Sequence, residues 1–286
     1  MESYRAARQV TQKHAKSFYF SSFPLPKMKR LRAYALYAYC RYCDDWIDGA
    51  APGSRKTAAE ELKIFTRQLL ECTGEHTVPP WAAAFRDTFL RCRIPERLCM
   101  DLIHGVCLDA AGTVNIPNWP ALREYCYYVA SVVGLMMNCV FEPSNVPQSE
   151  AAAISMGIAM QLTNVLRDVR QDAMMGRVYL PTDELEQYGL AGADFRAADV
   201  YKTSQWRRYA ALFAERAREH YRAAEPGIEL LPDDGSRYCV LCMSRIYAAI
   251  LDKIRAARWD VSERRYVSFF EKIVIASSLR KSGKKA

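Results

Sequence analysis

Apolar residues recur at intervals of three and four along most of the chain, the spacing that places them on one face of an α-helix. The alternation typical of β-strands is scarce. Segments rich in glycine, proline and serine, such as "APGS", "TVPP" and "EPSNVP", interrupt the pattern and predict turns. The pattern predicts helices over residues 28–50, 55–72, 81–92, 95–112, 119–141, 149–175, 194–224, 237–259 and 263–280.

These helices predict an all-α fold. Half of the residues are apolar, which is enough to form a large core. No internal repeat divides the chain, so we expect a single domain over residues 1–286, built as a bundle of antiparallel helices around an apolar centre. The basic stretch at 280–286 is expected to fray. Ser149 is expected to cap the helix that follows "EPSNVP".

The net charge of +8 bears on which kinds of molecule the protein binds. Much of the excess lies in two segments, residues 27–32 and 280–285. A basic surface attracts nucleic acid, anionic lipid or anionic substrates, but no nucleic-acid-binding motif accompanies these charges. No uninterrupted apolar run is long enough to span a membrane, and the first residues lack the apolar core of a signal peptide. We therefore expect a cytoplasmic protein that does not bind nucleic acid.

The ten cysteines include two C-x-x-C pairs, Cys40 with Cys43 and Cys239 with Cys242. Two such pairs are a known zinc-binding pattern. Both pairs, however, lie in apolar helical sequence without the glycine-rich loops usual at such sites. Buried free cysteine also behaves as a small core residue. The sequence favours reduced core thiols over a zinc site.

Three carboxylates interrupt the first long apolar helix at "CDDWID". Ionised side chains are almost never buried without a partner, so these acids need a wet edge or a bound cation. Asp44 and Asp48 are four residues apart and share one helix face, while Asp45 points about 100° away. Like charges at this spacing repel, and a bound divalent cation reverses that effect.

A second oxygen-rich stripe occurs in "QLTNVLRDVRQDAMMGRVYLP", where Asn164, Asp168 and Asp172 follow one another at four-residue spacing. Oxygen ligands suit Mg²⁺, and the absence of histidine and cysteine from both stripes argues against zinc. Arginine forks bind phosphate oxygens, and several lie beside the stripes: Arg41, Arg167, Arg170 and Arg177.

The alternative interpretation is a pair of surface ion-pair networks on amphipathic helices. Either stripe alone would favour that alternative. The two stripes together, with asparagine leading the second, favour a site for Mg²⁺ and a diphosphate.

These motifs stand in longer segments that resemble the squalene/phytoene synthase family of head-to-head prenyl synthases. The resemblance extends from about residue 14 to about residue 270. It is carried in order by "HAKSFYF", "AYALYAYCRYCDDWID", "YCYYVASVVGLMM", "GIAMQLTNVLRDVRQDAMMGRVYLP" and, more loosely, "SRIYAAILDKI".

The resemblance implies an isoprenoid-synthase helical bundle with a central apolar cavity. It also implies a reaction: two prenyl diphosphates condense head to head through a cyclopropyl diphosphate intermediate, with Mg²⁺, or Mn²⁺ in its place, stabilising the departing diphosphate. The implied metal ligands are Asp44, Asp45, Asp48, Asn164, Asp168 and Asp172. The implied catalytic residues are Asp44, Asp48, Asp168, Asp172, Tyr125 and Tyr247. The implied substrate-binding residues are Ser17, Phe18, Tyr37, Arg41, Val129, Ala130, Val133, Gly134, Gly157, Gln161, Arg167 and Arg177.

The stretches "ALYAYCR" and "VVGLMM" are most similar to bacterial phytoene synthases, which use geranylgeranyl diphosphate in carotenoid biosynthesis. Ser22, one turn after Phe18, is small and leaves room for that longer chain if both residues face the cavity. The alternatives are a dehydrosqualene, presqualene diphosphate or squalene synthase that uses farnesyl diphosphate, with NADPH required only by a squalene synthase. An alternative of another class is a non-catalytic relative that acts as a binding or assembly protein.

The expected partners follow from the same resemblance. Prenyl diphosphates are the expected substrates, with peripheral membrane contact through the basic segments 27–32 and 280–285 and contact with downstream isoprenoid enzymes. For each tyrosine, ordinary core packing is the alternative to a role beside cationic intermediates.

Overall fold

The computed structural model describes residues 1–72, 78–110, 114 and 116–282, and over these ranges the backbone is helical with connecting turns and no extended strand. The α-helices, numbered in chain order, are α1 Glu2–His14, α2 Lys16–Ser21, α3 Lys27–Asp48, α4 Arg55–Glu71, α5 Ala82–Arg91, α6 Glu96–Ala110, α7 Trp119–Cys126, α8 Val132–Phe141, α9 Val146–Met174, α10 Thr182–Gln187, α11 Ser204–Ile228, α12 Ser236–Ala256 and α13 Phe269–Ser282. The predicted all-α fold is confirmed.

The predicted helices α3 to α6 and α12 begin and end within a few residues of the predicted bounds. The last two residues of the prediction 95–112 lie outside the described residues. The sequence pattern missed α1, α2 and α10. In α1 only Tyr4, Ala7 and Thr11 are buried, so the apolar signal of that helix is weak.

Two predicted helices are interrupted. The prediction 194–224 includes two short 3₁₀ turns, Gly192–Arg196 and Ala198–Lys202, and α11 begins only after Thr203, whose hydroxyl accepts from the Trp206 amide. The prediction 263–280 starts too early, because the chain remains irregular until Phe269.

The predicted cap at Ser149 is wrong. Helix α9 starts three residues earlier, at Val146, and the Asn145 side chain accepts from the Gln148 amide. Ser149 is instead buried inside the helix, where its hydroxyl donates to the Val146 carbonyl and accepts from Asn138. Asparagine is as good a cap as serine, and both residues follow the same turn.

The buried apolar side chains form two clusters, one around α3 and one around α9. Helix α8 packs against both α3 and α9 and joins the two halves of the bundle. Met137 and Ile154 are partly buried and pack against both clusters. Each oxygen-rich stripe therefore lies toward the C-terminal end of the central helix of one half, α3 or α9.

A π-helical turn, Tyr127–Ser131, connects α7 to α8. Two glycines allow other helices to approach its backbone. A Cβ added to Gly157 of α9 would lie 2.5 Å from Ser131 Cα, and one added to Gly105 of α6 would lie 2.7 Å from the Tyr128 carbonyl carbon. Such turns are frequent at functional sites.

The segment Trp119–Phe141 is long and apolar enough to cross a membrane, which the sequence pattern did not predict. In the structure this segment comprises α7, the π-helical turn and α8, and half of its most apolar 18-residue stretch is buried. It joins the two cores of the bundle, and that position accounts for its apolar composition.

The two C-x-x-C pairs belong to different cores. Cys40 and Cys43 are buried in the α3 cluster, and Cys239 and Cys242 are buried in the α9 cluster. Burial raises the pKa of all four thiols. The four sulfur atoms therefore do not meet in one zinc site, and the prediction of core thiols agrees with this placement.

The basic segments predicted to contact membranes are only partly exposed for such contact. Lys29, within 27–32, is buried, and its Nζ lies 2.9 Å from Asp234 Oδ2 and 3.3 Å from Glu142 Oε2. The predicted frayed tail is helical through Ser282, and residues 283–286 lie outside the described part of the chain.

Candidate active site

The first wall of the site is the final turns of α3. Asp44 is half-buried, whereas Asp45 and Asp48 are exposed at the end of the helix. The Arg41 guanidinium, one turn earlier, donates to the Asp45 carboxylate. Tyr37 is half-buried one further turn back, and burial raises the pKa of its phenol to about 12. Helix α3 thus carries carboxylates in its last turns and the half-buried Tyr37 ring about two turns earlier.

The second wall is one face of α9. Asn164 donates through Nδ2 to Gln161 Oε1 at 3.3 Å. Its Oδ1 is buried and has no hydrogen-bond partner among the described residues. An unpaired buried acceptor is unusual in a native protein and points to a ligand that is a cation or a donor.

Asp168 lies one turn after Asn164 and is held by two arginines. Arg167 Nε donates to Asp168 Oδ1 at 2.9 Å, and Arg264 Nε lies 2.9 Å from the same oxygen. Both Arg167 and Asp168 are mostly buried. Asp172 lies one turn after Asp168 and lines one small crevice with Arg177 and Tyr179, which follow the end of α9.

Tyr247 of α12 connects the two walls. Its phenol interacts electrostatically with Arg167, Arg264 and Asp168, and also with Tyr37 on α3. Burial raises the pKa of the Tyr247 phenol, so the side chain stays neutral and can donate a hydrogen bond. The Phe18 ring of α2 lies 6.1 Å from the Tyr37 ring. Tyr247 and the Phe18–Tyr37 ring pair therefore link side chains of α2, α3, α9 and α12.

Most of the predicted lining residues share an intermediate burial, although they lie on the central helices of the bundle. Partial exposure at such positions is expected of the wall of an internal cavity. The lining residues with this burial are Ser17, Phe18, Tyr37, Val129, Ala130, Val133, Gly134, Gln161 and Tyr247.

Two predicted site residues lie deeper. Gly157 is buried because it packs against the π-helical turn, which presents Val129 and Ala130. Tyr125 is only 4% exposed, and its ring stacks on Tyr179 at 5.1 Å. Its described contacts are those of a core side chain, and its catalytic role stays a prediction.

The residues present fit a divalent metal, although no three of the described carboxylate, thiol and imidazole groups converge on a single point. The unpaired Asn164 Oδ1 and the carboxylates of both stripes are the oxygen ligands that Mg²⁺ takes together with phosphate oxygens. The arginines paired with Asp45 and Asp168 supply positive charge next to these acids. The ligands would be Asp44, Asp48, Asn164, Asp168 and Asp172, with Asp45 turned to Arg41.

Sequence reasoning missed Arg264. It lies in an irregular segment that the apolar pattern assigned to a helix, and nothing in its neighbours marks it as a partner of Asp168. Arg170 fixes this segment, because its guanidinium donates to the Ser262 carbonyl at 3.0 Å. The two arginines thus have separate contacts: Arg170 binds the backbone of the segment, and Arg264 binds Asp168 of the site.

Two oxygen-rich helix faces with flanking arginines in an all-α bundle are the features expected of a prenyltransferase of the isoprenoid-synthase type. The chain belongs to the squalene/phytoene synthase family, whose model matches residues 11–271. This confirms the family inferred from the sequence motifs. The family generally uses a divalent metal.

Individual relatives support the same conclusion. The chain is 35% identical to a phytoene synthase of Arthrospira platensis, over 96% of this chain and 91% of the relative. It is 32% identical to a 15-cis-phytoene synthase of Synechococcus elongatus, over 95% of this chain and 90% of the relative. A crystal structure of a dehydrosqualene synthase has a TM-score of 0.88 at 28% identity and covers 99% of this chain and 97% of its own.

Proposed function

We propose that this protein joins two molecules of geranylgeranyl diphosphate head to head, through a cyclopropyl diphosphate, to give phytoene. The observation that carries the proposal is the position of Tyr247, whose phenol interacts electrostatically both with Tyr37 on α3 and with Arg167 and Asp168 on α9. The relatives from Arthrospira and Synechococcus, matched over nearly their whole length, are named phytoene synthases and support this choice of product.

The arginines of the site bind the diphosphate groups in this proposal. Arg41, Arg167 and Arg264 are now paired with Asp45 and Asp168. Each guanidinium presents a planar fork that fits phosphate oxygens as well as carboxylate oxygens. When the substrates arrive, the forks pass from carboxylate to diphosphate, and the freed carboxylates become available as metal ligands. Bound Mg²⁺, or Mn²⁺ in its place, supplies positive charge that stabilises the departing diphosphate.

The apolar walls protect the reactive intermediates. Loss of diphosphate from an allylic carbon leaves a cation that water would trap, and an enclosed apolar site prevents that side reaction. Phe18, Tyr37, Val129 and Val133 supply this lining. The Tyr247 ring offers a face to a cation, and its neutral phenol offers a hydrogen bond beside Arg167.

A farnesyl diphosphate-using enzyme is the second candidate, because the structurally similar dehydrosqualene synthase covers nearly all of both chains. A non-catalytic binding or assembly protein is less well supported, since all acids of both stripes are present. NADPH belongs only to the squalene synthase alternative.

Product analysis tests the proposal. The purified protein is incubated with Mg²⁺ and either farnesyl or geranylgeranyl diphosphate, with and without NADPH, and the extracted hydrocarbons are identified by mass. We expect phytoene from geranylgeranyl diphosphate without NADPH. A thirty-carbon hydrocarbon from farnesyl diphosphate, with no phytoene, would keep the reaction type and overturn the proposed substrate.

Ser22 provides a test of chain length. The structure buries Ser22 completely, with its hydroxyl 2.8 Å from the Tyr34 hydroxyl, so it lies behind Tyr34 and does not line the open space. The Tyr34 ring contacts Phe18 edge-on at 6.3 Å. A larger residue at position 22 pushes Tyr34 toward Phe18 and shortens the cavity. We expect Ser22→Phe to lower the preference for geranylgeranyl over farnesyl diphosphate about tenfold in kcat/KM.

The matched control is Ser22→Ala, which removes the hydrogen bond to Tyr34 without adding volume. The alanine variant is expected to keep the wild-type chain-length preference. Equal shifts in both variants would assign the effect to the hydrogen bond, and no shift in Ser22→Phe would show that this end of the cavity does not set chain length.

We also place the protein in the cytoplasm, where its ten unpaired cysteines match a reducing compartment. Downstream isoprenoid enzymes are the proposed protein partners, because the apolar product has to pass to another enzyme or to a membrane.

A further inference from the structure

Helix α13 has apolar side chains on two faces. The inner face packs against the α9 cluster through Ile275, Ala276 and Leu279. The outer face consists of apolar residues at helical spacing, together with the tyrosine that precedes the helix. The exposed fractions of these residues are 72% for Tyr266, 63% for Phe269, 79% for Phe270, 40% for Ile273 and 67% for Val274. These five residues form what we call the aromatic face. Contiguous exposed apolar surface of this kind marks an interaction site.

Two lysines lie beside the aromatic face. Lys272 on α13 and Lys16 on α2 lie close enough to repel each other, and burial together with Lys16 lowers the pKa of Lys272. The acid on the same turn, Glu271, is turned away and paired with Lys253 at 2.7 Å. Two neighbouring ammonium groups repel each other, and an anionic surface stabilises such a pair.

The aromatic face also lies next to helices of the candidate site. The Phe269 ring contacts Phe20 of α2 edge-on at 5.9 Å. Helix α2 carries Phe18, a predicted lining residue, and α13 packs on α12, which carries Tyr247. The exposed rings therefore lie on the outer side of the helices that form one wall of the site.

We propose that the aromatic face of α13 docks the enzyme on an anionic lipid bilayer, with its rings at the headgroup level and Lys16 and Lys272 toward the lipid phosphates. Aromatic side chains favour the membrane interface, and basic residues add attraction to anionic lipid. The proposal rests on the proposed function in one respect: a bilayer is the apolar phase that holds prenyl substrates and receives a hydrocarbon product. This surface replaces the segment 27–32, in which Lys29 is buried, as the main membrane contact.

Vesicle binding tests the docking surface without substrate, so its outcome does not depend on the reaction. The full chain is titrated with vesicles of phosphatidylcholine alone and with vesicles that also contain phosphatidylglycerol. One variant combines Phe270→Ser with Val274→Ser, and a second combines Lys16→Glu with Lys272→Glu. The matched control combines Ile64→Ser with Leu90→Ser, which are exposed apolar positions on α4 and α5 in the other half of the bundle.

We expect the wild type to prefer the anionic vesicles and the aromatic-face variant to bind them at least about tenfold more weakly. The lysine variant is expected to lose the preference for anionic lipid, and the control to bind like the wild type. Activity on detergent-dispersed substrate reports separately on the site, and all variants are expected to retain it.

Two results would overturn the proposal. One is wild-type vesicle binding by both the aromatic-face and the lysine variants. The other is a wild-type dimer that the aromatic-face variant converts to monomer with no change in vesicle binding, which would make this face a contact between two copies of the chain. Loss of helical signal in a variant is checked by circular dichroism, and the lysine variant then decides the outcome because its positions are not in the core.

Discussion

Asp168→Asn is expected to lower the turnover number about a thousandfold. The substitution keeps the size of the side chain and removes its charge. Asp168 is the acid on which Arg167 and Arg264 converge, next to the unpaired Asn164 Oδ1. Positive charge placed on a leaving group is worth several kcal/mol in the transition state, which corresponds to this loss. The measurement is steady-state product formation at saturating substrate and Mg²⁺.

The same variant has a smaller effect on stability. The two arginines lose their shared anion, and a mostly buried Arg167 is left less well compensated. We expect a cost of about 1–3 kcal/mol in the free energy of unfolding. Asp199→Asn is the matched control, since Asp199 is an exposed acid paired with Lys202 far along the chain. Near-normal turnover in a folded Asp168→Asn protein would contradict a catalytic role for the α9 stripe.

Gly157→Ala is expected to destabilise the bundle by about 2–3 kcal/mol and to impair activity at the same time. The added methyl group would lie 2.5 Å from Ser131 Cα and 2.6 Å from Ser131 N. These are backbone atoms of the π-helical turn, so no side chain can rotate away, and overpacking of this kind is costly. For a chain of this size the melting temperature should fall by about 5 °C or more.

The displaced backbone also carries Val129 and Ala130, which are predicted lining residues, so KM and kcat should both change. Gly53→Ala is the control, because a Cβ at Gly53 meets no atom within 4 Å. If Gly157→Ala melts at the wild-type temperature, the close approach between α9 and the π-helical turn is not needed for the fold.

The parts of the site that lie on one helix were predictable from the sequence. Asp44 with Asp48, and Asn164 with Asp168, keep helical spacing, and that spacing alone places each set on one face. The long helices α3 and α9 were predictable for the same reason, because their apolar positions repeat over many turns.

The parts that depend on contacts between distant segments were not predictable. Arg264 reaches Asp168 from an irregular segment that Arg170 contacts at Ser262, and no local sequence pattern predicts that contact. Ser22 looked like a cavity residue by its distance from Phe18, but the Tyr34 hydroxyl covers it. The close approach of other helices to the π-helical turn at Tyr127–Ser131 depends on two glycines, Gly105 and Gly157.

The central claim is that the α3 and α9 stripes form one site for Mg²⁺ and diphosphate. A double-mutant cycle tests it most directly: the affinity for inorganic diphosphate in the presence of Mg²⁺ is measured by calorimetry for the wild type, Asp44→Asn, Asp168→Asn and the double variant. If both acids serve one site, the double variant should lose much less than the sum of the two single losses, by at least about 0.5–1 kcal/mol. Strictly additive losses, or no loss in either single variant, would contradict a shared site.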